Sequence, residues 1–126
     1  MLFRSIWGVE TEGADCMSQS LSAGQIVTLD GARSVARALG ALAPSPTTFH
    51  AAQSLLEGVT VVPDDEAMDS LRFLLERMKI LVEPASACTV AAADRLRRQF
   101  TQDRHVVLML GGGNIGLEQI PPFDPL

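Results

Sequence analysis

The sequence predicts an α/β fold. It reads as a single domain over residues 1–120, with a small, mostly parallel sheet between two layers of helices, and an irregular tail over 121–126. Three observations carry this. Short apolar runs at Phe3–Val9, Val59–Val62 and Val106–Leu110 alternate with helical patterns, the order expected of parallel strands joined by right-handed crossovers. The last run leads into Gly111, Gly112, Gly113 and Asn114, as a buried parallel strand does at the carboxyl end where ligands bind. A length of 126 residues at 47% hydrophobic content suits one modest core and excludes intrinsic disorder.

Taken in order, Phe3 to Val9 is apolar on both faces and predicts a strand ending at Glu10. Asp15 to Leu21 predicts a short helix closed at Ala23-Gly24. Gln25 to Leu29 is extended. Ala32 to Leu39 is a helix candidate with Gly40 in the capping position, since glycine tolerates the left-handed conformation of many helix ends. Ala43-Pro44-Ser45-Pro46 is a turn, and a helix from Thr47 to Glu57 stops at Gly58. Val59 to Val62 is a short strand. Pro63-Asp64-Asp65-Glu66 opens the next helix with acids where its dipole favours them. Met68, Leu71, Leu74, Leu75 and Met78 form its expected buried stripe, and Arg77 and Lys79 complement its other end. Glu83-Pro84 starts a further helix, with proline suited to the first helical position and an alanine series (Ala85, Ala87, Ala91, Ala92, Ala93) that allows close packing. Arg104 leads into the last strand, and Pro121, Pro122 and Pro125 mark the tail.

A formal net charge of -5 and a single lysine, Lys79, argue against a nucleic-acid partner, because phosphate binding needs a basic face. The arginines are dispersed apart from Arg95, Arg97 and Arg98. Cys16 and Cys88 lie far apart, and with His50 and His105 they make no zinc-ligand spacing. Two isolated thiols fit a reducing cytoplasm. No apolar run resembles a signal-peptide core or approaches the roughly 20 residues of a membrane span. A cytoplasmic chain without a membrane partner is therefore expected.

Five segments then resemble one family. They are Gly8-Val9-Glu10-Thr11-Glu12-Gly13-Ala14-Asp15, Ser34-Val35-Ala36-Arg37-Ala38-Leu39, Val61-Val62-Pro63-Asp64-Asp65-Glu66, Leu75-Glu76-Arg77-Met78-Lys79-Ile80-Leu81-Val82-Glu83-Pro84-Ala85, and Leu110-Gly111-Gly112-Gly113-Asn114. In this order and spacing they resemble the C-terminal portion of the pyridoxal-phosphate-dependent serine/threonine dehydratases of fold type II, a group that includes threonine deaminase and serine racemase. Thr11 stands where proline is usual.

The resemblance implies ammonia-lyase chemistry on a small hydroxyamino acid, with pyridoxal phosphate as the parent family's cofactor. It places Glu83, Gly111, Gly112, Gly113 and Asn114 at the cofactor ring. Gly111 stands where the family has a serine or cysteine against the pyridine nitrogen. It also places Glu10 and the Ala14 carbonyl at a cation site seen in some members, with Cys16 where a carboxylate is expected. The cofactor-holding lysine and the phosphate loop belong to the family's N-terminal portion, and Lys79 matches a non-catalytic lysine. No residue here is then expected to be catalytic, and the chain alone is expected to bind no cofactor. The expected function is that of an inactive dehydratase segment. A non-catalytic binding or assembly module is one alternative; half of a split enzyme, completed by a separate N-terminal chain, is another. With Phe3, Ile6, Trp7, Val59, Val61, Val107 and Met109 left as strand residues, an exposed edge predicts a homodimer.

Overall fold

A computed structural model describes residues 5–120. Strands β1 (Ile6–Thr11) and β2 (Leu56–Val62) pair in parallel, from Trp7 opposite Gly58 to Thr11 opposite Val62. Side chains alternate between the faces of a strand. Val9 and Val62 pack with Cys88, Ala91 and Ala92 of helix α4 (Pro84–Leu96). On the opposite face, Glu10 reaches helix α1 (Cys16–Ala23), which packs with helix α2 (Pro46–Leu55). Helix α3 (Asp64–Phe73) covers α4. The chain is an α/β layer with a parallel sheet, as expected, although the sheet has two strands among the described residues.

Several boundaries follow the predicted chemistry. Gly24 caps α1 at φ 70° and donates its amide to the Leu21 carbonyl. Ser45 accepts from the Thr48 amide at 3.2 Å to cap α2, whose first residue is Pro46. Asp64, Asp65 and Glu66 occupy the first turn of α3, and Pro84 opens α4.

Four expectations are corrected. The helix expected over 32–39 is only a 3-10 turn, Arg37–Leu39. Its backbone donors are taken elsewhere: the Arg33 amide by the Gly13 carbonyl, the Val35 amide by Asp64, and the Ala36 amide by the Ser34 hydroxyl. Helix α2 ends at Leu55 rather than Glu57, and Gly58 lies inside β2. A Cβ there would sit 2.8 Å from Cζ3 of Trp7, so a larger residue would have to push aside the indole that crosses the backbone.

The stripe of α3 holds at Met68, Leu71 and Leu74, with Ala67 also buried. It fails at Met78, which is 55% exposed, and Leu75 is only half-buried. A π-turn over Leu74–Met78 widens the helix and rotates its register. The expected third strand does not form among the described residues: Val106 to Leu110 has no regular secondary structure and joins no ladder. Leu110, Ile115 and Ile120 instead pack on a second core of Met68, Leu71, Leu74, Val82 and Ala87. That packing draws the segment toward the α3–α4 layer. Phe3 and the tail over 121–126 lie outside the described residues.

Candidate functional site

The site forms where the glycine loop meets the start of α4. The Glu83 amide donates to the Gly112 carbonyl at 3.0 Å, and the Gly112 amide donates to Oγ of Ser86 at 2.9 Å. This two-point clasp holds loop and helix together. A Cβ on Gly112 would collide with the Glu83 carboxylate, and one on Gly113 would come within 3.2 Å of the Leu81 carbonyl. A residue larger than glycine would thus displace the Glu83 side chain at 112 and crowd the Leu81 backbone at 113. Gly111 differs, because a Cβ there would meet nothing within 4 Å. Asn114 joins Glu83, Arg37, Ala38, Gly116 and Gln119 in lining a cleft of about 450 Å³.

Arg37 lines the cleft from the 33–39 loop, which a polar network holds in place. Thr11 Oγ1 lies 2.7 Å from Ser34 Oγ, which donates to Asp64 at 2.6 Å. Thr11 is fully buried, so its hydroxyl requires that partner. The network ties the end of β1 and the start of α3 to the 33–39 loop. Arg37, Ser86 and this network had not been singled out as site residues. For Ser86, the available signal was one hydroxyl among alanines in the first turn of α4. A wider groove of about 500 Å³ runs between α3 and α4, away from the glycine loop. Its acids are spent: Glu66 pairs with Arg95, Asp69 with Arg72 and Asp94 with Arg97.

Glu10 reaches the start of α1 on the other face of the sheet, and Ala14 lies just before that helix, paired with Thr11. The Glu10 carboxylate accepts the Met17 amide at 2.9 Å and the Ser18 amide at 2.8 Å. Burial raises its pKa, the two amides pull it down, and Asp15 adds repulsion. Cys16 is buried, and burial together with the Glu10 charge raises its thiol pKa. No group of three or more His, Cys, Asp or Glu among the described residues is arranged to hold a metal. A hard cation takes about six oxygen ligands, and this donor set does not fit one. Lys79 caps the π-turn at φ 60°, is exposed, and donates Nζ to the Glu76 carbonyl at 2.6 Å.

Residues 4–112 match the family model described as pyridoxal-phosphate dependent enzyme. The chain belongs to that family. The serine racemase of Schizosaccharomyces pombe is 30% identical over 118 residues, which cover 94% of this chain and 36% of that enzyme. A rat serine dehydratase-like protein is 36% identical over 124 residues, covering 91% and 38%. The structure of maize serine racemase superposes with a TM-score of 0.82 at 31% identity, covering 90% and 37%. The chain thus spans little more than a third of these relatives. Its residues fit one wall of a pyridoxal phosphate site: an open backbone face at Gly111, with Glu83 and Asn114 lining the cleft beside it. They do not fit the covalent anchor, because the single lysine is committed to a helix end. No helix of the described residues is long and apolar enough to cross a membrane.

Proposed function

We propose that this chain supplies the ring-facing wall of a pyridoxal phosphate site and does not turn over substrate by itself. The supporting observation is the contrast between Glu83 and Lys79. The Glu83 backbone is clasped to the glycine loop at the cleft, whereas the only lysine is exposed and bonded to its own helix. A lysine that reacts with an aldehyde must be desolvated or flanked by charge, and Lys79 is neither. When bound, the cofactor supplies the electron sink at the substrate α-carbon. Glu83, Asn114 and the loop backbone orient the ring edge and shape the cleft. Serine appears in the names of all three relatives cited above, which supports a small hydroxyamino acid as the substrate class. β-Elimination is the reaction the sequence resemblance implies.

The exposed Val106–Met109 segment favours completion by another polypeptide. Its side chains are 39–74% exposed and its backbone is unpaired among the described residues. Supplied with the N-terminal portion of a relative, cut where the match to this chain begins, the pair should release 2-oxoacid and ammonia from L-serine or L-threonine. The chain alone should release none, and borohydride should fix no pyridoxal phosphate on Lys79. Turnover by the pure chain, or a stoichiometric Lys79 adduct, would overturn the reading. Absence of turnover in every pairing would favour a non-catalytic assembly module. Without a second polypeptide, the same apolar segment supports a twofold homodimer, and light scattering at micromolar concentration tests that.

A further inference from the structure

The start of α1 carries an arrangement independent of the cofactor wall. The first amides of a helix have no intrahelical acceptor, and a side chain at the cap usually takes one. Asp15 occupies the cap position, yet its side chain makes no cap bond and accepts instead from Gln19. The cap is supplied from β1: one Glu10 oxygen accepts from Met17 and the other from Ser18. Charge-assisted bonds of this kind are short and roughly twice as strong as neutral ones, and they place negative charge at the positive end of the helix dipole.

The Cys16 groups beside this cap are committed or chemically wrong for a cation. Cys16 offers a soft sulfur and is 4% exposed. Its carbonyl accepts from the Ser20 hydroxyl at 2.6 Å, and that hydroxyl accepts in turn from the Val27 amide. Glu10 is therefore the carboxylate that caps α1, with both of its oxygens engaged by backbone, while the Asp15 carboxylate is turned to Gln19.

We propose that in this chain the first-turn amides of α1 stand in for a cation: Glu10 is a strand-to-helix clamp whose hold on α1 is independent of metal ions. The inference rests on α1 alone and stands or falls separately from the cofactor reading.

Calorimetric titration of the full chain with calcium, magnesium and potassium chlorides, alongside thermal unfolding with and without chelator, tests it. No saturable heat is expected, and the melting temperature should be the same in every condition to within about a degree. Glu10→Gln removes the charge and turns an amide NH₂ toward a backbone donor. It should lower the melting temperature by roughly 4 °C or more, the shift of about 1 kcal/mol in a domain of this size, equally with and without cations. The Met17 and Ser18 amide resonances of the unmodified chain read the contact directly, so the test survives if the variant fails to fold. Those resonances should not move when calcium is added. Saturable cation binding that raises the melting temperature, cation-dependent shifts of those two amides, or a Glu10→Gln melt unchanged from the parent would each overturn the proposal.

Discussion

Val59–Val62 and Val106–Met109 are two short apolar stretches with opposite fates. The first lies in β2, paired along β1, with Val62 fully buried under α4. The second is equally apolar but has no ladder, and Met109 is 74% exposed. Strand propensity is largely the ability to fit a pleated surface against neighbours. β2 has such neighbours: β1 beside it, α4 on one face and α1 on the other. The 106–109 stretch is anchored only at its far end, by Leu110. The composition of the two is similar, and the packing environment decides between them.

The comparison breaks if the two regions respond alike to truncation. Leu71 is fully buried in the second core, and Leu71→Ala should cost roughly 2–5 kcal/mol. Met109→Ala should cost no more than about 0.5 kcal/mol. Urea unfolding of both variants measures the contrast. Equal losses would mean that Met109 is covered in solution, as homodimerisation would require, and the cost should then depend on protein concentration.

The polar network of the paired region gives the next effect. Ser34→Ala leaves the buried Thr11 hydroxyl and one Asp64 oxygen without their partner. The expected loss is roughly 2 kcal/mol, with the 33–39 loop becoming the first protease-sensitive segment. Ser34→Thr keeps the hydroxyl and should recover most of it. A neutral Ser34→Ala would show that the loop is held by something else. Gly58→Ala probes the sheet itself. The added methyl presses on the Trp7 ring and should cost about 1 kcal/mol, with a shift in tryptophan emission. The same change at Gly111, where space is open, should do neither.

Most of this was legible where local chemistry decides. The stop at Gly24, the acidic start of α3 and the proline start of α4 need no knowledge of the fold. The five segments carried the family. What the sequence hid was decided across the chain. Ser34-Val35-Ala36 reads as helix until Asp64, about thirty residues on, takes its donors. Gly58 reads as a helix stop until Trp7 lies across it. Thr11 departs from the family's proline, and its hydroxyl proves to be a link to Ser34 and Asp64. At the site, the glycines and Glu83 were visible, but the clasp through Ser86 was not, because a serine in an alanine series looks like surface. Glu10 caps α1 through the Met17 and Ser18 amides, a role that its place in the sequence did not show.

The smallest effect lies on the outer layer of the paired region, where Arg95 of α4 grips both oxygens of Glu66 of α3 at 2.7 and 2.6 Å. The hydrogen bonds and charge of Arg95 hold the Glu66 pKa below its ordinary value of 4.5, against a small desolvation penalty. A carboxyl whose folded-state value lies below its unfolded one stabilises the fold above the unfolded value. That stabilisation is lost as pH falls through the folded value. Both side chains are more than 40% exposed, so solvent screens the pair and its worth is below about 1 kcal/mol. Glu66→Gln should therefore cost a few tenths of a kcal/mol near neutrality, and less in high salt. The variant should also lose less stability than the parent between about pH 5 and about pH 3. If the two acid-unfolding curves stay parallel across that window, the contact does not form in solution. The α3–α4 layer would then rest on its apolar cores alone, which sharpens the opening contrast into one of packing without charge.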